Sequence, residues 1–411
     1  MATTPQGPLA GIRVLDFTER MQGPYATQML ADMGADVVKV ERRVAMTVDG
    51  RSDDRYGTNG RYGTDHDDST IYAAGFLANN RNKRSITADL KSTAGLAMIE
   101  RLMPSFDVVY ENFRPGVMDR LGLGYERCKE LNRRIIYVSA TGFGPDGPHA
   151  AKPGQDVLIE ARTGWGELNS VDGRPVPVAT AIADTFGAMN GAFATACAIV
   201  HAVRTGQGQR VRTSLYESAI AGMAEWGFHF LNSPTADPRR PRPGHASPYT
   251  PPPYGFYATK DGQLALSSGR QIATLSRILG IDDLSRDDRF ATYWARYEHR
   301  DEFAAILEDA LAAKTTAEWI ELMEAEDMFA APVNSLAEAF TDPAVAHSNM
   351  VVEMDTPAGP MKFLGMPYGL DETPPSIRTP PPLHGQHTDE VLGEAGFTEA
   401  EIAELRRDEA V

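Results

Sequence analysis

Four aspartates lie in a stretch where glycine or proline recurs every few residues, and one of them belongs to a tight turn. The four are Asp146, Asp156, Asp172 and Asp184. Loops that a rigid scaffold holds in place often carry reactive groups. Gly173 permits a positive φ and Pro175 fixes the chain after it, so the turn presents the carboxylate of Asp172. The pattern marks Asp172 as a candidate reactive carboxylate, although an ordinary Asp-Gly turn is the commoner meaning of it.

Basic and polar side chains follow the strands predicted ahead of this stretch. Those just past strand ends are Arg42, Arg43, Asn112, Arg114, Arg120 and Thr141. In open α/β sheets, ligands bind outside the carboxyl ends of the strands. This placement fits a ligand that carries phosphate groups, and it fits an ordinary solvated surface equally well.

A β-α-β unit is predicted at the start of the chain. Residues 12–17 form a short apolar run typical of a buried strand, and residues 36–41 form a second one. Pro24 suits the first turn of the helix between them, which Gly34 closes. Such a unit predicts parallel strands with a right-handed crossover. Its first turn lacks the G-x-G-x-x-G pattern, which disfavours a nicotinamide or flavin dinucleotide site. Further strands are predicted at 107–110, 134–140 and 210–215. The predicted fold class is therefore α/β.

A proline-rich segment divides the chain. Eight prolines lie between Leu231 and Pro253, enough to mark a linker. We therefore predict a large-domain part at 1–230, a linker at 231–253, a small domain at 254–330 and a further section at 331–411. The small domain is expected to begin with a hairpin whose turn contains Asp261-Gly262.

Bulk composition indicates a globular, acidic chain. The 411 residues carry a net charge of −16, which argues against a nucleic-acid surface, since such a surface needs a basic stripe. The two cysteines, Cys128 and Cys197, form no C-x-x-C pair, so neither a disulfide framework nor a thiolate metal site is predicted. Reduced thiols and the lack of a signal-peptide pattern fit a cytoplasmic protein. The apolar run at 176–203 contains Asp184 and Asn190, so we expect a buried helix and no membrane span.

Short motifs in a fixed order resemble the family III CoA-transferases, the group typified by formyl-CoA:oxalate and carnitine CoA-transferases, along almost the whole chain. The matching pieces are GIRVLDFTERMQGP, MGADVVKVERR, NNRNKRSITADL, DVVYENFRPGVMDRLGLG, YVSATGFGPDGP, KPGQD, RTGQGQ and GQHTDEVLGEAGF. The resemblance implies an α/β fold with a Rossmann-like large domain built from both chain ends, to which 331–411 returns, plus a smaller α+β domain. It also implies an interlocked homodimer in which each chain threads the other.

The resemblance also implies roles for single residues. The family's nucleophile is an aspartate in a D-G-x-P turn, which is Asp172 here, and Asp184 stands at the distance of a second, supporting aspartate. The implied contacts to CoA are Arg42, Asn112, Phe113, Arg120 and Thr141. The implied reaction moves CoA from an acyl-CoA donor to a carboxylic acid through an aspartyl anhydride and an aspartyl-CoA thioester. It uses the CoA thioester as a substrate and needs no metal and no tightly bound cofactor.

Two departures from the family pattern leave the acyl group open. Where the formyl-CoA type carries His-x-Gln-Ala after the first strand, this chain has Glu19-Arg20-Met21-Gln22. Residues 248–254 occupy the region of its glycine-rich lid. The source of the oxyanion donors stays open as well.

A sister branch, the α-methylacyl-CoA racemases, is the alternative. Those enzymes move an α-proton between a His in a G-H-D motif and a later Asp. Here the motif reads Gly154-Gln155-Asp156, and Asp184 matches the second group. Gln155 cannot act as a general base, and the racemase pattern lacks the D-G-x-P aspartate, so the transferase is favoured. A silent subunit of a paired enzyme is also disfavoured, because Asp172 is retained.

Overall fold

The chain divides into two compact units. The computed structural model describes residues 7–43, 68–233, 237 and 242–411. The first unit comprises Met1–Ile159, Ala181–Gly222 and Pro343–Val411, and the second comprises Glu160–Thr180 and Met223–Asp342.

The bounds of these units differ from the predicted sections. The second unit consists of Met223–Asp342 together with the earlier segment Glu160–Thr180. The prediction assigned that earlier segment to the large-domain part. The helix Asp156–Thr163 runs without interruption across the boundary of that segment. Sequence patterns give no signal there, because glycine, proline and composition breaks mark the ends of elements and not a change of unit within one helix.

Strands and helices alternate through most of the described residues. The strands are β1 Arg13–Asp16, β2 Asp36–Glu41, β3 Lys83–Thr87, β4 Val108–Glu111, β5 Ile136–Thr141, β6 Arg210–Ser214, β7 Tyr254–Ala258, β8 Gln263–Ser267, β9 Ala330–Pro332, β10 Val351–Thr356 and β11 Gly359–Leu364. The helices are α1 Gln22–Asp32, α2 Asp68–Asn79, α3 Thr93–Leu102, α4 Val117–Arg120, α5 Tyr125–Leu131, α6 Asp156–Thr163, α7 Trp165–Leu168, α8 Ile182–Thr205, α9 Leu215–Gly222, α10 Ala224–Asn232, α11 Ile272–Leu279, α12 Tyr293–Glu298, α13 Arg300–Leu311, α14 Thr316–Glu324, α15 Leu336–Thr341, α16 Pro343–His347, α17 Thr388–Glu394 and α18 Glu399–Arg407.

The first unit is built on a six-stranded parallel sheet with the order β3-β2-β1-β4-β5-β6. β1 pairs with β2 on one side, where Arg13 faces Asp36, and with β4 on the other, where Val14 faces Val108. The predicted β-α-β unit is confirmed, with α1 between its strands. The strand order reverses between β1 and β4. In doubly wound sheets, the carboxyl ends at such a switch point form the ligand crevice.

Helices cover both faces of this sheet. Leu15 belongs to the apolar cluster that α3, α17 and α18 share, whereas its neighbour Val14 belongs to the cluster that α1 and α8 share. Because both faces are covered, β1, β2, β4 and β5 are buried at nearly every position, as is usual for parallel sheets. The C-terminal helices α17 and α18 are therefore part of the core of the first unit.

The second unit contains a three-stranded antiparallel sheet with the order β7-β8-β9. β7 and β8 form the predicted hairpin, with Asp261 and Gly262 in the turn between them. Its core includes the fully buried Leu264, Phe303 and Trp319. A separate two-stranded hairpin, β10 and β11, belongs to the first unit.

Helix α8 is buried on one face only. Gly187 and Gly191 are buried, whereas Met189, Phe193 and Val200 are exposed, Phe193 by 72%. The expectation of a buried helix is therefore correct for one face and wrong for the other. Within the described part of the chain, α8 is the one helix long and apolar enough to cross a membrane, a property shared by core helices of soluble proteins.

A substitution at Gly191 tests how closely α8 approaches the sheet. A Cβ at this position would lie 2.1 Å from the phenolic oxygen of Tyr110 in β4, so Gly191→Ala forces the two elements apart. We expect the free energy of unfolding to fall by about 1–3 kcal/mol, the usual cost of overpacking, although alanine is the better helix former. Urea unfolding measures this change.

The matched control is Gly75→Ala in α2, where an added Cβ meets no atom within 4 Å. We expect this substitution to raise the free energy of unfolding by about 0.5–1 kcal/mol, because alanine restricts the unfolded chain and favours the helix. Equal effects of the two substitutions would contradict the close approach of α8 to β4.

Candidate active site

A buried ion pair lies where β1 ends. The ammonium group of Lys83, at the start of β3, donates to Asp16 Oδ2 at 3.0 Å, and both side chains are fully buried. It also donates to Thr27 Oγ1 at 2.8 Å and to the Pro24 carbonyl oxygen at 2.9 Å. Burial would raise the pKa of Asp16, but the charges of Lys83 and Lys39 outweigh it and hold that pKa below its ordinary value. The carboxylate of Asp16 is therefore ionised.

This ion pair holds the loop between β1 and α1. Asp16 Oδ1 accepts hydrogen bonds from the N–H and the hydroxyl of Thr18, at 2.8 and 2.5 Å. Lys39 Nζ donates to the Thr18 carbonyl oxygen at 2.6 Å. Since Pro24 binds Lys83 at the other end, the loop is fixed at both ends.

Glu19, on this loop, joins two residues for which the family resemblance implies contacts to CoA. Asn112, just past β4, accepts a hydrogen bond from the Glu19 N–H and donates one to the Glu19 carbonyl oxygen, both at 2.8 Å. Arg42, just past β2, has its Nη2 3.0 Å from Glu19 Oε1. The structure therefore brings Arg42 and Asn112 together at the carboxyl ends of β1, β2 and β4.

The other three predicted CoA contacts are Phe113 after β4, Thr141 at the end of β5 and Arg120 at the end of α4. The Phe113 N–H donates to the Glu111 carboxylate at 2.9 Å, and its ring is half-buried against the apolar cluster of α3. Burial raises the pKa of Glu111 to about 6. Thr141 ends β5, and its hydroxyl accepts a backbone N–H of the following turn at 2.9 Å. Arg120 ends α4 and is exposed. Within the described residues, no hydrogen bond or ion pair joins these three to Arg42.

Asp184 lies in the first turn of α8, near the backbone of Gln22, the first residue of α1. Burial, reinforced by the charge of Asp156, raises the pKa of Asp184 to about 6. Asp156 itself accepts the N–H groups of Ala183 and Asp184, at 2.7 and 3.2 Å, at the start of α8. Asp184 can therefore change protonation near neutral pH, whereas Asp156 stabilises a helix terminus.

The predicted tight turn at Asp172 is present. Val171 and Arg174 exchange two backbone hydrogen bonds of 2.9 Å. The two residues between them have positive φ angles, 48° at Asp172 and 72° at Gly173. Both lie in the left-handed region, as in a type I′ turn, which Asp tolerates and Gly adopts freely. Asp172 is exposed. This turn belongs to the second unit, whereas Asp184 and the predicted CoA contacts belong to the first.

Three residues of this region escape sequence reasoning: Asp16, Glu19 and Lys83. An aspartate that closes an apolar strand and a lysine that opens another would need charged partners if both were buried. That is the only signal available, because the two side chains are 67 positions apart and meet through the register of β1, β2 and β3. Glu19 stands out only as a departure from the family pattern.

Comparisons with known proteins now decide the family. The sequence profile of CoA-transferase family III matches residues 9–388. This chain belongs to that family. A succinate–glutarate CoA-transferase from Agrobacterium fabrum is 35% identical to it, over 94% of this chain and 95% of its own. A human succinyl-CoA:glutarate CoA-transferase is 32% identical, over 97% of this chain and 88% of its own.

Solved structures agree with the family assignment. Rv3272 from Mycobacterium tuberculosis matches with a TM-score of 0.81 and 30% identity, over 94% of this chain and 100% of that one. A CAIB/BAIF family protein from Brucella suis matches with a TM-score of 0.77 and 30% identity, over 95% and 100%. The mixed α/β fold, with its six-stranded parallel sheet and separate small antiparallel sheet, is that of the CaiB/BaiF family structures. The resemblance drawn from the sequence motifs is confirmed.

The raised pKa of Asp184 predicts a pH-dependent stability. Because the pKa rises from 3.8 to about 6 on folding, the folded chain binds this proton more tightly than the unfolded chain. The carboxyl group therefore favours folding most below about pH 4, and this contribution is lost as the pH rises through about 6. We expect Asp184→Asn to raise the free energy of unfolding by about 1–3 kcal/mol at pH 7.5, with a smaller gain at pH 4.5.

Urea unfolding at the two pH values measures this effect, with Asp146→Asn as the control. Asp146 is exposed, so its substitution should leave the free energy of unfolding nearly unchanged at both. A loss of stability in Asp184→Asn at pH 7.5 would show that the carboxylate is stabilising in the folded chain, contrary to the raised pKa.

Proposed function

We propose that this protein moves CoA from an acyl-CoA donor to a carboxylic acid acceptor, with Asp172 as the nucleophile. The observation that carries the proposal is the turn between Val171 and Arg174, which presents an exposed carboxylate in a member of CoA-transferase family III. Asp tolerates the left-handed backbone of such a turn, so the turn by itself is equally consistent with an ordinary hairpin. Membership of CoA-transferase family III, in which the D-G-x-P turn is expected to carry the nucleophile, favours the catalytic role.

The chemistry follows from the properties of a carboxylate beside a thioester. An Asp172 oxygen attacks the thioester carbonyl carbon, the C–S bond breaks, and an acyl-aspartyl anhydride and CoA thiolate result. The thiolate then attacks the Asp172 carbonyl carbon and releases the donor acid as its carboxylate. This leaves an aspartyl-CoA thioester.

The second half of the reaction reverses these two steps with the acceptor. The acceptor carboxylate attacks the aspartyl-CoA carbonyl and expels the thiolate, which forms a second anhydride. The thiolate attacks the acceptor carbonyl of that anhydride, which yields the new acyl-CoA and restores the Asp172 carboxylate. One activated acyl bond is exchanged for another, so the reaction calls for neither a metal nor a tightly bound cofactor.

The CoA moiety is proposed to bind at the carboxyl ends of β1, β2 and β4. Arg42 and Arg120 supply guanidinium groups for its phosphates, and Phe113 supplies an aromatic face for its apolar parts. Thr141 is proposed as a further contact. Asn112 is proposed as a contact as well. Its side chain holds the loop that carries Glu19 through one N–H and one oxygen lone pair, and its amide has a second N–H and a second lone pair for CoA.

Asp184 is proposed as a supporting residue. Its pKa of about 6 allows it to be protonated or ionised in the range where the enzyme would operate, and a group of this kind can give or take a proton. The racemase alternative also needs a base in place of Gln155. The side chain of Gln155 has no basic nitrogen and cannot act as that base, and the backbone carbonyl oxygen of Gln155 accepts the N–H groups of Leu158 and Ile159 at the start of α6.

The acceptor is proposed to be a dicarboxylic acid. Relatives from several organisms are named for succinate with glutarate, for L-malate, for mesaconate and for oxalate, all of which are dicarboxylic acids. The substrate panel for this protein should therefore start with C2 to C5 dicarboxylates and include monocarboxylates of equal length.

The protein is further proposed to act in the cytoplasm as an interlocked homodimer, with no nucleic-acid or membrane partner. The exposed apolar side chains of α8, Met189, Phe193 and Val200, fit a face that a second copy covers. Light scattering after gel filtration should give twice the chain mass. A monomer at micromolar concentration would contradict the dimer.

Mass spectrometry of the intact protein tests the proposed nucleophile. After incubation with acyl-CoA thioesters and a hydroxylamine or borohydride quench, wild type should carry a modification that maps to Asp172. Asp172→Asn should carry none, and its transfer rate should fall by more than about 1,000-fold, as for other lost nucleophiles. Asparagine is chosen because it tolerates the left-handed backbone.

The control is Asp146→Asn, which removes an exposed carboxylate from the preceding loop and should retain both adduct and activity. An adduct on Asp172→Asn whose amide is intact, as verified by peptide mass because an Asn-Gly pair can deamidate to Asp, would exclude Asp172 as the nucleophile. No adduct with any donor, together with deuterium uptake at Cα of a 2-methylacyl-CoA in heavy water, would assign the protein to the racemase branch.

A further inference from the structure

The arginine proposed to bind a CoA phosphate already has a carboxylate beside it. Arg42 Nη2 lies 3.0 Å from Glu19 Oε1, and the two side chains are 61% and 37% exposed. Solvent and ligands can therefore reach both groups. A phosphate offers the same kind of acceptor to a guanidinium as a carboxylate does, with more charge and one more oxygen.

The main chain is held on both sides of this ion pair. The Glu19 N–H and carbonyl oxygen are both bound by the Asn112 side chain, each at 2.8 Å. The Arg42 carbonyl oxygen accepts a hydrogen bond from His384 Nε2 at 2.8 Å. Neither backbone can move away without breaking these bonds, so the two side chains stay within reach of each other.

We propose that Glu19 occupies, in the free protein, the position on Arg42 that a phosphate of CoA takes in the complex. CoA binding then exchanges one anion for another on the same guanidinium. The inference rests on the proposed function in one respect, namely that Arg42 binds CoA. It adds that the affinity for CoA is lowered by a carboxylate of the chain itself.

The alternative role for Glu19 is to hold Arg42 in the orientation that CoA needs. The two roles predict opposite changes in the affinity for CoA when the Glu19 charge is removed. An exposed ion pair changes an equilibrium constant by only about two- to fivefold, so the benefit of such holding is small. A Glu19 carboxylate that stays near an incoming phosphate repels it as well as competing with it. Competition for Arg42 and repulsion of the phosphate together weaken CoA binding more than the orientation of Arg42 by Glu19 strengthens it. Removing the Glu19 charge should therefore strengthen CoA binding.

A double-variant cycle on the full-length protein tests this inference by calorimetric titration with CoA. In low salt we expect Glu19→Gln to lower the dissociation constant by about three- to tenfold. The gain should shrink as the salt concentration rises, because screening weakens exposed charges. In the Arg42→Gln background the same substitution should change the dissociation constant by less than about twofold, since no guanidinium is left to compete for.

Glu321→Gln is the matched control. It removes one exposed carboxylate from α14 in the second unit and changes the net charge by the same amount, so it separates a local effect from the general charge of the chain. Pantetheine, which lacks phosphates, is the control ligand, and its binding should not respond to Glu19→Gln. Thermal unfolding of each variant confirms that it is folded.

Weaker or unchanged CoA binding in folded Glu19→Gln would overturn the inference and leave the proposed function intact. A gain that persists in the Arg42→Gln background would also overturn it, because Glu19 would then act on another group. If wild type fails to bind CoA at millimolar concentration, the proposed function fails, and this inference fails with it.

Discussion

The ion pair between Asp16 and Lys83 underlies the arrangement of the carboxyl edge of the sheet. Two charges withdrawn from water are tolerated only when paired and hydrogen-bonded, and removing one partner of such a pair typically costs about 3–5 kcal/mol. Here the pair connects the end of β1 to the start of β3 and to α1. The loop between β1 and α1 depends on it. That loop in turn places Glu19 against Asn112 and Arg42, and it leads into Gln22, the first residue of α1.

The position of this pair at the topological switch point has a chemical consequence. Residues from β1, β2 and β4 meet there because the strand order reverses between β1 and β4. A chain with a net charge of −16 must concentrate cations locally in order to bind a phosphorylated carrier. Arg42 is one such cation, and its contact with Glu19 shows that carboxylates reach even this edge of the sheet.

The folded chain is less stable at neutral pH because of one carboxyl group that the proposed reaction would use, that of Asp184. Asp184 is kept in a half-buried place that raises its pKa to about 6, so it is ionised at a cost at neutral pH. Asp172, by contrast, lies in a type I′ turn, whose left-handed backbone Asp tolerates. A fold selected for stability alone would avoid the half-buried carboxylate of Asp184, whereas functional sites commonly retain such groups.

Local sequence patterns predicted individual strands, helices and turns. They did not predict contacts between residues far apart in the sequence, which depend on which strands become neighbours. The β2 strand at 36–41, the hairpin with Asp261 and Gly262 in its turn, and the turn at Asp172 all follow from short-range rules. The contact of Lys83 with Asp16 does not, because it depends on which strands become neighbours. One face of α8 is exposed although its composition suggested burial throughout.

Sequence patterns could not predict that 160–180 belongs to the second unit either, because α6 crosses the boundary without a break. The family resemblance supplied what short-range rules could not, namely a role for Asp172 and a set of residues for CoA. It said nothing of Glu19, because this chain departs from the formyl-CoA type there.

A crystal structure of Asp172→Asn with an acyl-CoA bound is the most direct test. We expect the CoA phosphates at the carboxyl ends of β1, β2 and β4, with one phosphate oxygen within hydrogen-bonding distance of the Arg42 guanidinium and the thioester beside residue 172. CoA bound elsewhere, with Arg42 still paired to Glu19 and residue 172 remote from the thioester, would contradict both the site and the mechanism.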